Sequence, residues 1–366
     1  MNSGMRFRLL AVAIVIAALS TAACSGPDHA VAKTDANVPG ELIVSRDIED
    51  DDRGELFVVA ADGSEARQIS DAEGFYGLTL SPDGRMIAAA QGRQNDQPIV
   101  LVDIATGGVH PVAVPTGSYS GPSFSSPTDM LAFSGVDYAR FSRTCSGAIG
   151  DQIYIANADG TDAHMLVDGM PDGAMSSIWS FDGTRIAYVR TSGIWVANLD
   201  GTDQRQITQG MNSVFSTVWS PVDDHIAFTG YENQYSAVYL VNADGSGQVK
   251  LSPEGIWASD PVRSPDGGWI ASTSAGQGNS RLHIIRPDGS EHRAIDIDKG
   301  IDRVSWSPDG TWIAFTTTYQ ESDGPITAIH LSIINPFDDD ADVHTLLRDL
   351  DDSTAPVWSD SQTTDP

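Results

Sequence analysis

Trp306-Ser307-Pro308-Asp309-Gly310, followed by the apolar run Ile313-Ala314-Phe315, decides how this chain folds. Proline presets φ for a turn and glycine takes the positive φ that side chains resist. The stretch therefore reads as the end of one strand, a tight turn and the start of the next. The same phrase returns as Ser81-Pro82-Asp83-Gly84, Ser180-Phe181-Asp182-Gly183 and Ser264-Pro265-Asp266-Gly267. Degenerate copies stand at Ser126-Pro127-Thr128-Asp129 and Ser220-Pro221-Val222-Asp223, and Val357-Trp358-Ser359-Asp360 closes the series.

A second phrase alternates with the first: an apolar strand ending in an Asp-Gly turn, among the strongest hairpin signals. It occurs at Asp62-Gly63, Asp159-Gly160, Asp200-Gly201, Asp244-Gly245 and Asp288-Gly289, with diverged versions near Thr106-Gly107 and Asn335-Pro336. A repeat of roughly 40–45 residues with four strands per unit is the signature of a β-propeller. Each small sheet has two faces to cover, so neighbouring blades must cover them and the ring must close. The first unit, residues 41–70, has three strands, and the orphan strand near Ala355–Ser359 comes last. Seating that strand in the first blade leaves no open edge. The expectation is an all-β, seven-bladed propeller of four-stranded antiparallel blades over residues 41–361, closed by the C-terminal strand, with a tail at 362–366.

Composition narrows the function classes. With 40% hydrophobic residues the chain has ample core. Its 50 acidic residues against 21 basic ones give a net charge of -29, which repels phosphate backbones, so no nucleic-acid partner is expected. Two cysteines, Cys24 and Cys145, cannot build a disulfide framework or a four-thiolate zinc site. There is no Gly-x-Ser-x-Gly elbow, no His-Glu-x-x-His and no phosphate-binding glycine loop.

Residues 1–23 place Arg6 and Arg8 before an apolar run, Leu9 to Leu19, and then small residues, the pattern of a secretory signal peptide. The run is about 11 residues, so as a helix it spans roughly half of a bilayer core. Thr21-Ala22-Ala23-Cys24 resembles the bacterial lipobox. That resemblance implies cleavage before Cys24, lipid attachment to its thiol, and an extracytoplasmic, membrane-anchored protein, with residues 24–40 as lipidated N-terminus and tether. Plain secretion at an Ala-x-Ala-like site is the alternative. Acyl chains contribute about 0.8 kcal/mol per buried methylene, so two or more anchor durably.

The repeats, most clearly Trp179-Ser180, Trp219-Ser220 and Trp306-Ser307-Pro308-Asp309-Gly310, resemble the WD-repeat-like units of TolB-type β-propellers. The resemblance covers roughly residues 41–361 and implies a propeller fold. The family's namesake joins a six-bladed propeller to an N-terminal α/β domain, whereas here only residues 25–40 lie between Cys24 and the first strand.

Strand order puts both kinds of short turn on one face of the disc and the longer, irregular connections on the other, where binding groups concentrate. That loop face would carry Asp50, Asp51 and Asp52, and near the same blade junction Asp349, Asp351 and Asp352. Clustered carboxylates suit calcium, with its roughly six to eight oxygen ligands, although the spacing follows no calcium-loop motif and a solvated acidic rim is the plainer reading. Aromatic residues also gather in these connections: Phe75, Tyr76, Tyr119, Tyr138, Phe141, Tyr231, Tyr235, Trp257 and Tyr319. Exposed aromatics around a concave mouth suit peptide or sugar binding, and Tyr138, Tyr235 and Trp257 are the candidate binding surface. His164, His283, His292 and His330 read as lying in different blades without paired ligand spacing, and Cys145 as an inert thiol lacking a nearby base.

Two functions follow. The first is a non-enzymatic, lipid-anchored propeller that binds a protein, a small ligand or another envelope component, without a cofactor. The second is a propeller hydrolase or lyase acting on a saccharide or lactone, with a divalent metal in the central channel.

Overall fold

The computed structural model describes residues 38 and 40–359 except 48–53, 71, 73, 93–96, 139–150, 170–172, 192, 233–234, 276–279, 321–325, 339–340 and 351–354. Cys24, Phe141 and Cys145 lie outside the described residues. Seven four-stranded antiparallel sheets account for the strands, and each is one blade. Blades 2 to 7 begin with Phe75–Leu80, Gly117–Ser125, Met175–Trp179, Ser213–Trp219, Ala258–Arg263 and Gly300–Trp306. These first strands contact one another around the ring, so they are the inner strands lining the axis. In blade 1 the inner strand is the last of the chain, Val357–Ser359, paired with Glu41–Asp47 through Ile43–Val357, Leu42–Trp358 and Glu41–Ser359. The expected closure is what the structure has.

Burial follows from strand alternation. In Met86–Gln91 the side chains of Ile87 and Ala89 pack toward blade 1, and those of Ala88 and Ala90 toward blade 3. Both faces of a blade are covered, which is why the strands read as continuous apolar runs. One apolar cluster fills each junction, and among the described residues the one between blades 5 and 6 is the smallest, with Ala227, Val238, Leu240, Ala258 and Ile270 at its centre.

The turn chemistry repeats as closely as the sequence. In Ser81, Ser180, Ser264 and Ser307 the hydroxyl donates to the aspartate two residues on, at 2.6 Å in each case. It also accepts the backbone N–H five residues on, at 2.9–3.0 Å. Gly84, Gly183, Gly267 and Gly310 supply the positive φ, between 66° and 71°. One copy is offset from the sequence reading. The serine that ends the inner strand of blade 3 is Ser125, not Ser126, and Thr128 donates to it at 2.7 Å. The turn holds one extra residue, and Asp129 takes the glycine's role at φ 48°.

These turns tie stability to ionised carboxylates. The Ser81 hydroxyl holds Asp83 below the usual carboxylate range, and Ser264 does the same for Asp266. Burial alone would raise Asp182, but hydrogen bonds from Ser180 and Thr184 outweigh it and bring it to about 2. Asp159, Asp200, Asp244 and Asp288 in the second kind of turn are lowered by the hydroxyl and N–H of the residue two positions on. Folded values below unfolded ones mean that this stability is fully present above about pH 4 and is lost as pH falls through the folded values. The chain's net charge of -29 repels itself, and that repulsion weakens as the pH falls. The expected thermal midpoint therefore holds or rises down to about pH 4.5 and falls steeply below about pH 3.5. Melting curves by circular dichroism across that range check it, and an unchanged midpoint at the acid end would contradict it.

Candidate functional site

Blade 5 presents the clearest feature of the loop face. Its second and third strands, His225–Glu232 and Tyr235–Asn242, form a hairpin whose tip pairs Glu232 with Tyr235. Trp257 lies in the connection from the outer strand Val249–Lys250 to the inner strand of blade 6. Tyr235 is 52% exposed and Trp257 48%, and their rings meet edge to face, with centroids 5.7 Å apart at 87°. Phe215, also exposed, leans on Tyr231 at 5.9 Å. Four aromatic rings thus reach the loop face of a single blade.

The base of the hairpin tip is fixed from below. The buried Tyr239 hydroxyl donates to Glu232 at 2.9 Å, and burial together with that carboxylate pushes its phenol up to about 12. Glu254 lies fully out in solvent and pairs with Lys250 at 3.1 Å. The surface is therefore a rigid amphipathic corner bordered by acid groups, suited to holding an apolar or amphipathic segment of a partner.

Of the three residues expected to form a binding surface, the structure brings Tyr235 and Trp257 into contact. Tyr138 belongs to blade 3, is half-buried, and its N–H donates to the Thr116 carbonyl at 3.1 Å. Phe75 and Tyr119 are core residues, 0% and 1% exposed, and not part of the surface. Tyr119 packs edge-on against Phe133 and Tyr154, where strand alternation turns it inward. Asp50, Asp51, Asp52, Asp351 and Asp352 lie outside the described residues, and Asp349 falls in the strand His344–Leu350. Among the described residues no three His, Cys, Asp or Glu side chains are grouped to hold a metal ion.

The histidine expectation needs correction. His283 and His292 share blade 6 on adjacent strands, Ser280–Ile285 and His292–Ile297, and their rings stack with centroids 5.1 Å apart. His283 Nδ1 and His292 Nε2 are 2.9 Å apart, and the Ser274 hydroxyl lies 2.7 Å from His283 Nε2. Burial, with His292 and Arg281 adding to it, lowers His283 to about 4, so it is neutral at neutral pH. Ser274 and His283 are both buried at the junction that, among the described residues, has the smallest apolar cluster. The hydroxyl–imidazole chain supplies contacts there that aliphatic groups supply at the other junctions.

Residues 190–324 match the TolB beta propeller domain family. A stretch of 99 residues is 30% identical to the TolB homologue of Chlorobium luteolum, covering 27% of this chain and 22% of that protein. Of solved structures, TolB from Acinetobacter baumannii has a TM-score of 0.51 at 16% identity, over 71% of this chain and 64% of its own. An oligogalacturonate lyase in complex with manganese has a TM-score of 0.58 at 14% identity, over 84% and 85%. Together these findings support a TolB-type propeller, and the structural likenesses show the fold alone.

Proposed function

We propose that this chain is a lipid-anchored, extracytoplasmic propeller that binds another component of the cell envelope without catalysing a reaction. The observation that carries the reading is the exposed, perpendicular Tyr235–Trp257 pair on the loop face of blade 5. Two adjoining rings held half out of water offer apolar area for a partner to cover, and buried aromatics dominate the energetics of protein contacts. The likeness of residues 190–324 to the TolB beta propeller domain supports an envelope role. The lipobox-like Thr21-Ala22-Ala23-Cys24 supports the anchor. The alternative, a metal-bearing propeller enzyme, draws on the fold shared with a lyase, and a fold by itself carries no activity.

Crosslinking in intact cells tests the reading. A photoreactive residue at position 257 is expected to capture an envelope protein, while the same group at the exposed Phe181 on the turn face captures none. Replacing Tyr138, Tyr235 and Trp257 together by alanine is expected to weaken capture at least about tenfold, or about 1.4 kcal/mol or more. Equal adducts from both faces, or undiminished capture by the triple variant, would overturn it.

A further inference from the structure

The inner strand of each blade from 2 to 7 breaks its pairing with the second strand at one place. The register skips between Tyr76 and Thr79, Ser120 and Ser123, Met175 and Ile178, Phe215 and Val218, Ser259 and Val262, and Asp302 and Val304. One extra residue on one strand is a β-bulge, and bulges gather where a strand must aim a side chain. The residue after the last pair has positive φ every time: Gly77 62°, Gly121 59°, Ser176 56°, Ser216 48°, Asp260 54° and Arg303 46°. Each stands four residues before the serine of its turn, and Ala355 holds that place before Ser359.

These positions form one ring around the axis, so the blades can be compared with each other. Blades 2 and 3 use glycine, which adopts the conformation without strain. Blades 5, 6 and 7 place Ser, Asp and Arg there, although a side chain at positive φ costs about 1 kcal/mol or more. Strain of this kind persists where a side chain is needed at that spot.

All three residues line one cavity. A cavity of about 200 Å³ is lined by Ser216, Thr217, Asp260 and Arg303, with Pro261 and Ala355 among its walls. The Asp260 carboxylate accepts the Ser216 hydroxyl at 2.5 Å and the Ser259 hydroxyl at 2.9 Å. Its own N–H donates to Thr229 at 3.1 Å, so the group is held in place. Arg303 lies 3.7 Å from Asp302 rather than on Asp260. The Thr217 hydroxyl is buried with no hydrogen-bond partner among the described residues. Asp260 and Arg303, whose side chain is 55% exposed, thus line one cavity without an ion pair between them.

We propose that this cavity binds a small zwitterion, an α-amino acid or a dipeptide, with the ammonium on Asp260 and the carboxylate on Arg303. A simple anion would face Asp260 and a simple cation would face Arg303. Only a ligand carrying both charges satisfies both walls. A volume of about 200 Å³ is enough for an amino acid or a short dipeptide in a cavity open to solvent. The proposal is independent of the aromatic surface on blade 5.

Calorimetric titration of the whole protein with glycylglycine, N-acetylglycylglycine and glycylglycine amide tests it. Glycylglycine is expected to bind with a Kd of about 1 mM or below, and each capped form at least about tenfold more weakly. Asp260→Gly and Arg303→Gly install the residue that blades 2 and 3 already carry, so Arg303→Gly is expected to melt no lower than the parent, and Asp260→Gly, which also gives up the Ser216 and Ser259 hydrogen bonds, to stay folded with a modestly lower midpoint. Each is expected to lose glycylglycine affinity by at least about tenfold. Trp257→Ala is expected to leave that affinity unchanged. No binding of glycylglycine, equal binding of the capped dipeptides, or full affinity in the two folded glycine variants would each overturn the proposal.

Discussion

Trp358→Ala is expected to lower the stability of the whole ring by about 3–5 kcal/mol, a large share of the 5–15 kcal/mol typical of a folded domain. The closing strand is only three residues long, so its hold rests on what its side chains reach. Trp358 is 7% exposed and packs in one cluster with Leu42, Val44 and Val59 of blade 1 and Ala314, Leu331 and Ile333 of blade 7. Its indole N–H also donates to the Ser305 carbonyl on the inner strand of blade 7, at 3.3 Å. One side chain thus fastens the last blade to the first. Denaturant unfolding measures the loss directly. Trp358→Phe, which keeps most of the packing and gives up the hydrogen bond, is expected to lose only about 0.5–1.5 kcal/mol from that bond. Removing residues 355–366 exposes the edge of Glu41–Asp47, and the expected outcome is self-association through that edge on size-exclusion chromatography. If Trp358→Ala unfolded within about 0.5 kcal/mol of the parent, closure by this strand would not be what holds the ring.

The features legible in the sequence share a property: each depends on residues adjacent along the chain. Ser307-Pro308-Asp309-Gly310 specifies its turn because the serine, aspartate and glycine act on each other and on one N–H five residues on. Counting such turns gives the blade number, and an unpaired final strand gives the closure. What was missed depends on registers between strands. His283 and His292 are nine residues apart, a separation with no meaning until the turn around Pro287-Asp288-Gly289 sets them diagonally across one ladder. Tyr119 carries no local mark that it points inward. The offset at Ser125 arose because one inserted residue shifts the phase of a degenerate copy. The meeting of Tyr235 with Trp257 depends on two connections whose shapes no motif specifies. The channel ring did leave a signal, since Gly77, Gly121, Ser176, Ser216, Asp260 and Arg303 keep a constant distance from their turns. It becomes readable only once the bulge gives that distance a meaning.

The same comparison between blades singles out Arg263. The residue immediately before the turn serine is Leu80, Phe124, Trp179, Trp219, Trp306 or Trp358 in the other blades, and arginine only in blade 6. Three of these tryptophans donate to a carbonyl of the preceding inner strand, Trp179 to Ser123, Trp306 to Val262 and Trp358 to Ser305. The Arg263 side chain is 2% exposed, and among the described residues its three guanidinium nitrogens have no hydrogen-bond partner. Its ion pair is with Asp223, at 3.7 Å. Burial lowers its pKa, with Asp223 and Asp266 opposing that shift. Taking a guanidinium out of water costs several kcal/mol, and one long contact to a carboxylate half open to solvent returns only part of it. Arg263→Met, an unbranched side chain that fills much of the same space, is therefore expected to raise stability by about 1–4 kcal/mol. Asp223→Ala strands the buried charge and is expected to lower stability by up to about 3 kcal/mol. In the Arg263→Met background the Asp223→Ala loss should shrink to that of the turn alone, where Asp223 accepts the His225 N–H at 3.1 Å. Urea unfolding of the four proteins completes the cycle, with a coupling of about 1 kcal/mol or more expected between the two sites. Should Arg263→Met prove less stable than the parent, the guanidinium contributes more to the junction of blades 5 and 6 than it loses in hydration, and its place among the tryptophans is an adaptation of that blade.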